Sequence, residues 1–336
     1  MERAQEKENT MQPHTNILPS PLPDGEQWVT EYITARVATR RTTTVEAYTI
    51  ILQQFTAWVA QRPGNEQRFH PSQLSQTAVE VYLNTALKSA SSSHKQRVKS
   101  VISGFAEWLI NEKGILSRNP THGIALATQQ VLAPRELDDD QRYILRELVE
   151  RDDLRGKALF ALGYWAGCRV SDAAHLLMEH THVGPKVGWL HIGYKGEKYR
   201  DIDLRNEIRG PLYDYVHHGG RKRESLYVFT SQRPKQDLQE GDLDPWRFTE
   251  EGIHAWFRVL KSKATHTRWE HIHDITFHDL RHDFAHRARQ AGWSLEEVAV
   301  YLGHVTNRGT PAVMTTARYT QPCREQIKQK LKDVPG

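Results

Sequence analysis

The chain has 336 residues, enough for two ordinary domains that each bury a core, and 38% of them are hydrophobic, which suits a globular protein. Its 45 Lys and Arg against 41 Asp and Glu leave a net charge of +4, mildly basic, which permits nucleic-acid binding without demonstrating it. Cys168 and Cys323 stand too far apart to suggest a disulfide framework or a Cys-based zinc site, and nothing approaches the roughly 18 consecutive apolar residues of a membrane span, so a protein of the reducing cytoplasm is expected, with no membrane partner.

Residues 1–24 are polar, rich in proline and without periodicity, and read as a flexible arm. From Thr43, with Glu46 in the capping-box position, Val45, Tyr48, Leu52, Phe55 and Val59 recur at helical spacing. A second helix is expected from Thr77, with Glu80 as its capping acid and Val79, Tyr82, Leu83 and Leu87 on one face. A third runs from about Ser93 and carries Val98, Val101, Ile102, Phe105, Trp108 and Leu109. Its first turns bring His94, Lys95, Arg97 and Lys99 together with small polar residues, as a surface following DNA phosphates would; the same composition also suits a solvated helix face. Residues 25–122 thus form one helical domain, and the weakly periodic stretch 123–135, with Pro134, is expected as a linker.

The second domain is expected over 136–336. Asp138 caps a helix bearing Ile144, Leu145 and Leu148, and Ala158, Leu159, Leu162 and Trp165 mark a buried helix that ends shortly before Arg169. Trp189, Ile192 and Tyr194, then Tyr199, Ile202 and Leu204, read as two strands of a hairpin with Lys195 at its turn; Leu226 to Thr230 reads as a further strand. Ile253, Trp256, Phe257 and Leu260 mark another amphipathic helix, after which His266, His271 and His273 read as loop surface. His278 and Arg281 stand three apart at the start of a helix whose buried stripe is Leu280, Phe284 and Ala288, so both side chains are expected on one face. Gly292 ends that helix, Ser294 and Glu297 cap the next, and Gly303 closes it at His304. The fold class is therefore mainly α with a small β-sheet: a helical domain followed by a mixed α and β domain.

The order Ala-Gly-Cys-Arg169-Val-Ser-Asp172, then the Lys195 hairpin, then His278-x-x-Arg281-His282, Leu-Gly-His304 and finally Tyr319 resembles the tyrosine recombinase, or phage integrase, family. The resemblance extends from about Trp28 to Leu331, with its specific motifs confined to the second domain. It implies a helical core-binding domain over 25–122, a catalytic domain over 136–336, and cleavage of DNA through a 3′-phosphotyrosyl link, with four protomers on paired sites in double-stranded DNA, a Holliday-junction intermediate and room for accessory DNA-bending proteins. The expected location is the cytoplasm, at the nucleoid. A metal cofactor is not implied.

The chemistry fits those residue types. Arg169 and Arg281 offer permanently charged planar forks to nonbridging phosphate oxygens, and His304 adds a hydrogen bond. Tyr319, with an ordinary pKa near 10, needs a base, for which His278 stands nearest in sequence, and Lys195 can protonate the leaving 5′ oxygen. Asp172 reads either as an acid that orients Arg169 or as a plain helix-start acid, and His282 as a supporting or packing histidine. Taken one at a time, Arg169 reads as a helix-terminal arginine, Lys195 as a turn charge and Tyr319 as a surface aromatic; their order and combination carry the assignment. His278, His282 and His286, spaced by four, also suggest a metal site, against which Arg281 and the lack of a Cys or carboxylate cluster argue.

Tyr319 follows His304 by fifteen positions, a longer interval than the family pattern, with Asn307 to Pro311 as an inserted loop. Tyr301 is the competing nucleophile, expected to be packed. The segment from Arg324 to Lys332, with Ile327 and Leu331 four apart, is expected to form a tail helix that docks on a neighbouring protomer. Two rival functions use the same residues or fold: a type IB topoisomerase and a catalytically inactive DNA-binding regulator.

Overall fold

Helices carry most of the chain because apolar residues recur at three- and four-residue spacing along it. The computed structural model describes residues 25–126, 136–193, 199–236, 244–306 and 309–317. The chain divides into two compact units, residues 1–130 and 131–336. The arm over 1–24, residues 127–135 of the expected linker, Lys195, Tyr319 and the tail over 324–332 lie outside the described residues. No described helix is long and apolar enough to cross a membrane.

In the first unit, α1 (Gly25–Tyr32) continues as a wide helical turn over Ile33–Val37, and is followed by α2 (Thr42–Ala60), α3 (Gln76–Val81) with its own wide turn over Tyr82–Ala86, and α4 (Ser92–Asn111). The helix α1 was not expected from sequence: its eight residues are too few for the apolar period to stand out. It is held by tertiary packing, with the Tyr32 ring 5.3 Å from Phe105 and 5.7 Å from Trp108. The capping also differs from expectation. Arg41, without a side-chain cap, precedes α2, and Ser75 Oγ accepts the Ala78 N–H to cap α3, in place of the Thr43 and Thr77 boxes. Leu52, Phe55, Leu83, Ile102, Phe105 and Leu109 are wholly buried. Each contributes about 1.5–3 kcal/mol of transfer free energy. Ile124 joins this core, so the chain remains part of the unit to at least that residue.

In the second unit, α5 (Asp139–Glu150) starts at the expected cap, Asp138 Oδ1 accepting the Gln141 N–H at 2.8 Å. The helix α6 (Leu154–Tyr164) is buried on nearly every side and forms the centre around which the others pack. There follow α7 (Val170–Ala174), strands β1 (Thr181–Val183), β2 (Gly188–Ile192) and β3 (Arg200–Asp203), then α8 (Asn206–His218), α9 (Glu250–Ser262), α10 (His266–Ile272), α11 (Phe277–Gln290), α12 (Leu295–Leu302) and α13 (Val313–Ala317). The strands form an antiparallel sheet in the order β1-β2-β3, with Leu190 opposite Ile202 on its buried face.

Three local expectations change. The segment Leu226 to Thr230 makes only isolated bridges, Leu177 to Tyr227 and Thr230 to Arg247, so Val228 and Phe229 are buried without joining a sheet while Leu226 is exposed. The histidines His266 and His271 lie in α10 and His273 immediately ends it, because an ion pair from Arg268 to Glu147 at 2.7 Å supports a helix that its polar sequence does not announce. Arg281 is fully buried while His278 is exposed, so the two do not share a solvent face.

The position of α11 follows from its neighbours. At Gly163 a Cβ would come within 2.8 Å of Phe277 Cζ and 2.9 Å of Leu280 Cδ1, so the missing side chain lets α11 cross α6 closely. Asp283, also wholly buried, accepts from Arg142 Nη2 at 2.8 Å, Arg287 Nε at 2.8 Å and the Leu137 N–H at 3.2 Å. The carboxylate thus ties α11 to the start of α5 two residues from Arg281. Lys261 of α9 donates to the carbonyls of His273 and Ile275 and so fixes the entry into α11.

Candidate active site

The C-terminus of α12 is where the site forms. Ser294 and Glu297 make the expected reciprocal cap at its start, and Gly303 ends it in the left-handed conformation at φ 66° and ψ 38°, which costs an L side chain energy and glycine almost none. The last carbonyls of a helix lack intrahelical donors and form the negative end of its dipole. Here three arginines from three other elements supply donors. Arg200 Nε donates to the Tyr301 carbonyl at 2.6 Å, Arg281 Nη2 to the Leu302 carbonyl at 2.6 Å, and Arg169 Nη2 to the Gly303 carbonyl at 3.5 Å. Arg281 Nη1 also reaches the Gly167 carbonyl at 2.6 Å, and its Nη2 lies 2.9 Å from His304 Nε2. A charged guanidinium is tolerated in full burial because these acceptors replace its water.

His304 is 4% exposed. Its pKa is pushed down to about 2, first by burial and then by the positive charges of Arg281, Arg169 and Arg200. It is therefore a neutral imidazole at physiological pH. Its Nδ1 lies 3.0 Å from the hydroxyl of Thr316, a wholly buried residue of α13.

Asp172 sits behind the arginines. Its Oδ2 accepts the backbone N–H of Arg169 at 3.1 Å, as a helix-start acid does, and lies 3.5 Å from Arg200 Nη2, so the carboxylate fixes the Arg169 backbone and balances the Arg200 charge. Cys168, between Gly167 and Arg169, has a thiol pushed up to about 12 by burial and then by Asp172, and is unreactive.

His278 is exposed on the first turn of α11, its ring 4.5 Å from that of His282 and nearly perpendicular to it. His282 is held near pKa 4 by burial and then by His278, which suits a supporting role. His286 points elsewhere, with Nδ1 3.6 Å from Glu136 Oε2, and among the described residues no group of three His, Cys, Asp or Glu side chains could hold a metal ion. Tyr301 stacks on Phe284 at 5.2 Å and meets Trp293 edge-on at 5.3 Å, and burial raises its phenol pKa, so it is the packed residue that was expected.

The structure therefore brings together Arg169, Arg281 and His304, with Asp172 directly behind. Arg200 and Thr316 belong to the same constellation and were not singled out from sequence. Arg200 left a signal: it shares the two-residue phase of Ile202 and Leu204, which places a charge on the core-facing side of a strand. Its side chain is 10% exposed. Thr316 left none.

In the first unit, His94 and Arg97 are exposed and Lys95 partly so on the first turns of α4, whereas Lys99 turns inward and donates to the Ile124 carbonyl at 2.7 Å. Beside them lies an open, polar groove of about 860 Å³, lined in part by Arg40, Tyr48, Gln96, Ser100 and Ser103.

Residues 135–325 match the model of the phage integrase family. Over 295 residues the chain is 24% identical to the tyrosine recombinase XerC of Pelobacter propionicus, covering 85% of this chain and 87% of that protein. It is 26% identical over 298 residues to the TnP I resolvase of Bacillus thuringiensis, covering 86% and 92% respectively. Among solved structures it shares its fold with the XerH site-specific recombinase bound to a palindromic difH substrate, at a TM-score of 0.67 and 16% identity over 92% of this chain and 84% of that one. The Tn1549 transposon integrase in complex with circular intermediate DNA matches at 0.65 and 13% identity, over 92% and 99%.

Proposed function

The chain belongs to the phage integrase family, and from that premise we propose how its residues divide the work of breaking and rejoining DNA. It is a tyrosine site-specific recombinase, acting on double-stranded DNA. The observation that supports the division most directly is the gathering of Arg169, Arg281 and His304 at one helix end.

Arg169 and Arg281 hold the nonbridging oxygens of the scissile phosphate and stabilise the charge that builds up in the transition state. His304, neutral in this environment, serves as a hydrogen-bonding group beside them. Tyr319 is the nucleophile: its oxygen attacks phosphorus, its proton passes to His278, the bond from phosphorus to the 5′ oxygen breaks, and Lys195 protonates that leaving oxygen. A 3′-phosphotyrosyl enzyme results. Because the link keeps the phosphodiester energy, the 5′ hydroxyl of another strand can displace the tyrosine without ATP. Asp172 and His282 support the constellation from behind.

The exchange takes place between paired sites held by four protomers, through a Holliday junction, with the helix after Pro322 docking on a neighbour and accessory DNA-bending proteins assisting. The core-binding domain runs from residue 25 to at least Ile124, the linker follows up to residue 135, and 136–336 form the catalytic domain. His94, Lys95 and Arg97 follow DNA phosphates, while Lys99 braces the Ile124 carbonyl. The setting is the cytoplasm, at the nucleoid.

Covalent capture tests the central step. Purified protein is mixed with DNA fragments spanning the gene's own flanks, nicked and intact, in EDTA, and resolved on denaturing gels. An adduct in wild type that is absent in Tyr319→Phe is expected. Tight binding to a defined fragment with no adduct on either form would instead identify an inactive DNA-binding protein.

A further inference from the structure

The contacts of His304 define its protonation pattern. Arg281 Nη2 can only donate, so His304 Nε2, 2.9 Å away, is the acceptor of that pair. A neutral imidazole with an unprotonated Nε2 carries its proton on Nδ1. Nδ1–H therefore donates to Thr316 Oγ1 at 3.0 Å, and the Thr316 hydroxyl in turn lies 3.4 Å from the Ala312 carbonyl. The sequence of donors runs from Arg281 through His304 and Thr316 to the backbone that opens α13.

We propose that Thr316 is a positioning residue of the recombination reaction: in one contact it gives His304 Nδ1 a hydrogen-bond partner in either tautomer and anchors the segment that leads to Tyr319. Two observations carry this. Thr316 is the only buried residue of α13 among those described, wholly enclosed where Met314 is 78% exposed, so the helix is fastened at that side chain. The hydroxyl has one donor and two acceptor positions, and its bond to the Ala312 carbonyl is long, so it can also turn and donate to an unprotonated Nδ1. His304 can then present Nε2 as an acceptor towards Arg281 or as a donor towards a phosphate oxygen, with Nδ1 satisfied in either state. No aliphatic side chain of the same shape serves both. Tyr319 lies three residues beyond Thr316, so placing the nucleophile segment and preparing the imidazole are coupled through one side chain.

The inference rests on the recombinase reading, and its test separates the two. The full chain is prepared as wild type, Thr316→Ser and Thr316→Val, and each also with His304→Ala. Long-range proton–nitrogen NMR of the DNA-free proteins reads the His304 tautomer and the hydrogen bond of its Nδ1–H, and single-turnover adduct formation on saturating nicked DNA reads the chemistry. Expected is a protonated Nδ1 in all three, because Arg281 still donates to Nε2, with the Nδ1–H proton shifted downfield by its hydrogen bond in wild type and Thr316→Ser and shifted upfield in Thr316→Val. Thr316→Val should form adduct about tenfold or more slowly at unchanged DNA affinity, as loss of one buried hydrogen bond implies, with Thr316→Ser restoring most of the rate. In the His304→Ala background, Thr316→Val should add no further loss. Equal behaviour of Ser and Val, or a Val penalty that persists in full without His304, overturns the proposal. If wild type formed no adduct, the recombinase reading would fail while the Nδ1–H comparison still decided whether Thr316 holds His304.

Discussion

Replacing Arg281 by lysine keeps a positive charge on α11 but removes the planar fork that spans three acceptors. In the native structure the guanidinium donates to the Gly167 carbonyl, the Leu302 carbonyl and His304 Nε2 at 2.6, 2.6 and 2.9 Å. A single ammonium at the end of a shorter arm can hold one of these in good geometry. Two charge-assisted hydrogen bonds are lost, at about 1.5–3 kcal/mol each, so Arg281→Lys is expected to cost about 3–6 kcal/mol. That is a large share of the ~5–15 kcal/mol that stabilises a typical domain. With a urea slope near ~2 kcal/mol per molar, the unfolding midpoint of the second unit should fall by about 1.5–3 M. The assay is urea denaturation of the full chain followed by tryptophan fluorescence, with covalent capture on nicked DNA under conditions where the variant is folded. There the adduct should form about 10²–10³-fold more slowly, because one preorganised phosphate donor is gone. A midpoint within about 0.5 M of wild type, together with an unchanged adduct rate, would refute the account of Arg281 as both a buried tie and a phosphate clamp.

Acid should act on His304. Its folded pKa, about 2, lies below an unfolded value near ~6.5, so its stabilising contribution is complete above pH 6.5 and is lost as the pH falls below that. Between pH 7.5 and 5 wild type should lose about 2 kcal/mol more stability than His304→Gln, measured by urea titration at each pH; parallel losses would contradict a buried neutral imidazole. Asp283→Asn leaves Arg142 and Arg287 without their shared buried carboxylate and is expected to cost about 3–5 kcal/mol, read as a drop in the same unfolding midpoint. Tyr301→Phe keeps the stacking on Phe284 and should form adduct at the wild-type rate; loss of the adduct in that variant would move the nucleophile from Tyr319 to Tyr301.

Much of this protein is legible along the chain. The apolar spacing of α2, α4 and α9, the Ser294 and Glu297 cap of α12 and the glycine that ends it are local matters, settled by which side chains a helix places on one face and which backbone groups its ends leave open. The order of Arg169, Lys195, His278, Arg281, His304 and Tyr319 likewise needs only the sequence, and it identifies the family by resemblance. The helices α1 and α10 were not legible, since each is short and is stabilised by partners far away in sequence, Phe105 and Trp108 for one and Glu147 for the other.

What only the tertiary structure decided is where the charges go. Sequence spacing put Arg281 beside His278 on an open face, yet the folded chain buries Arg281 against carbonyls 114 and 21 positions away and leaves His278 in solvent. Arg200 and Thr316 acquire their places through Tyr301 and His304, contacts that no local period encodes. Periodicity reports which side of an element faces the core. Whether a buried charge is tolerated there depends on which distant backbone groups, left unpaired at a helix end, come to meet it.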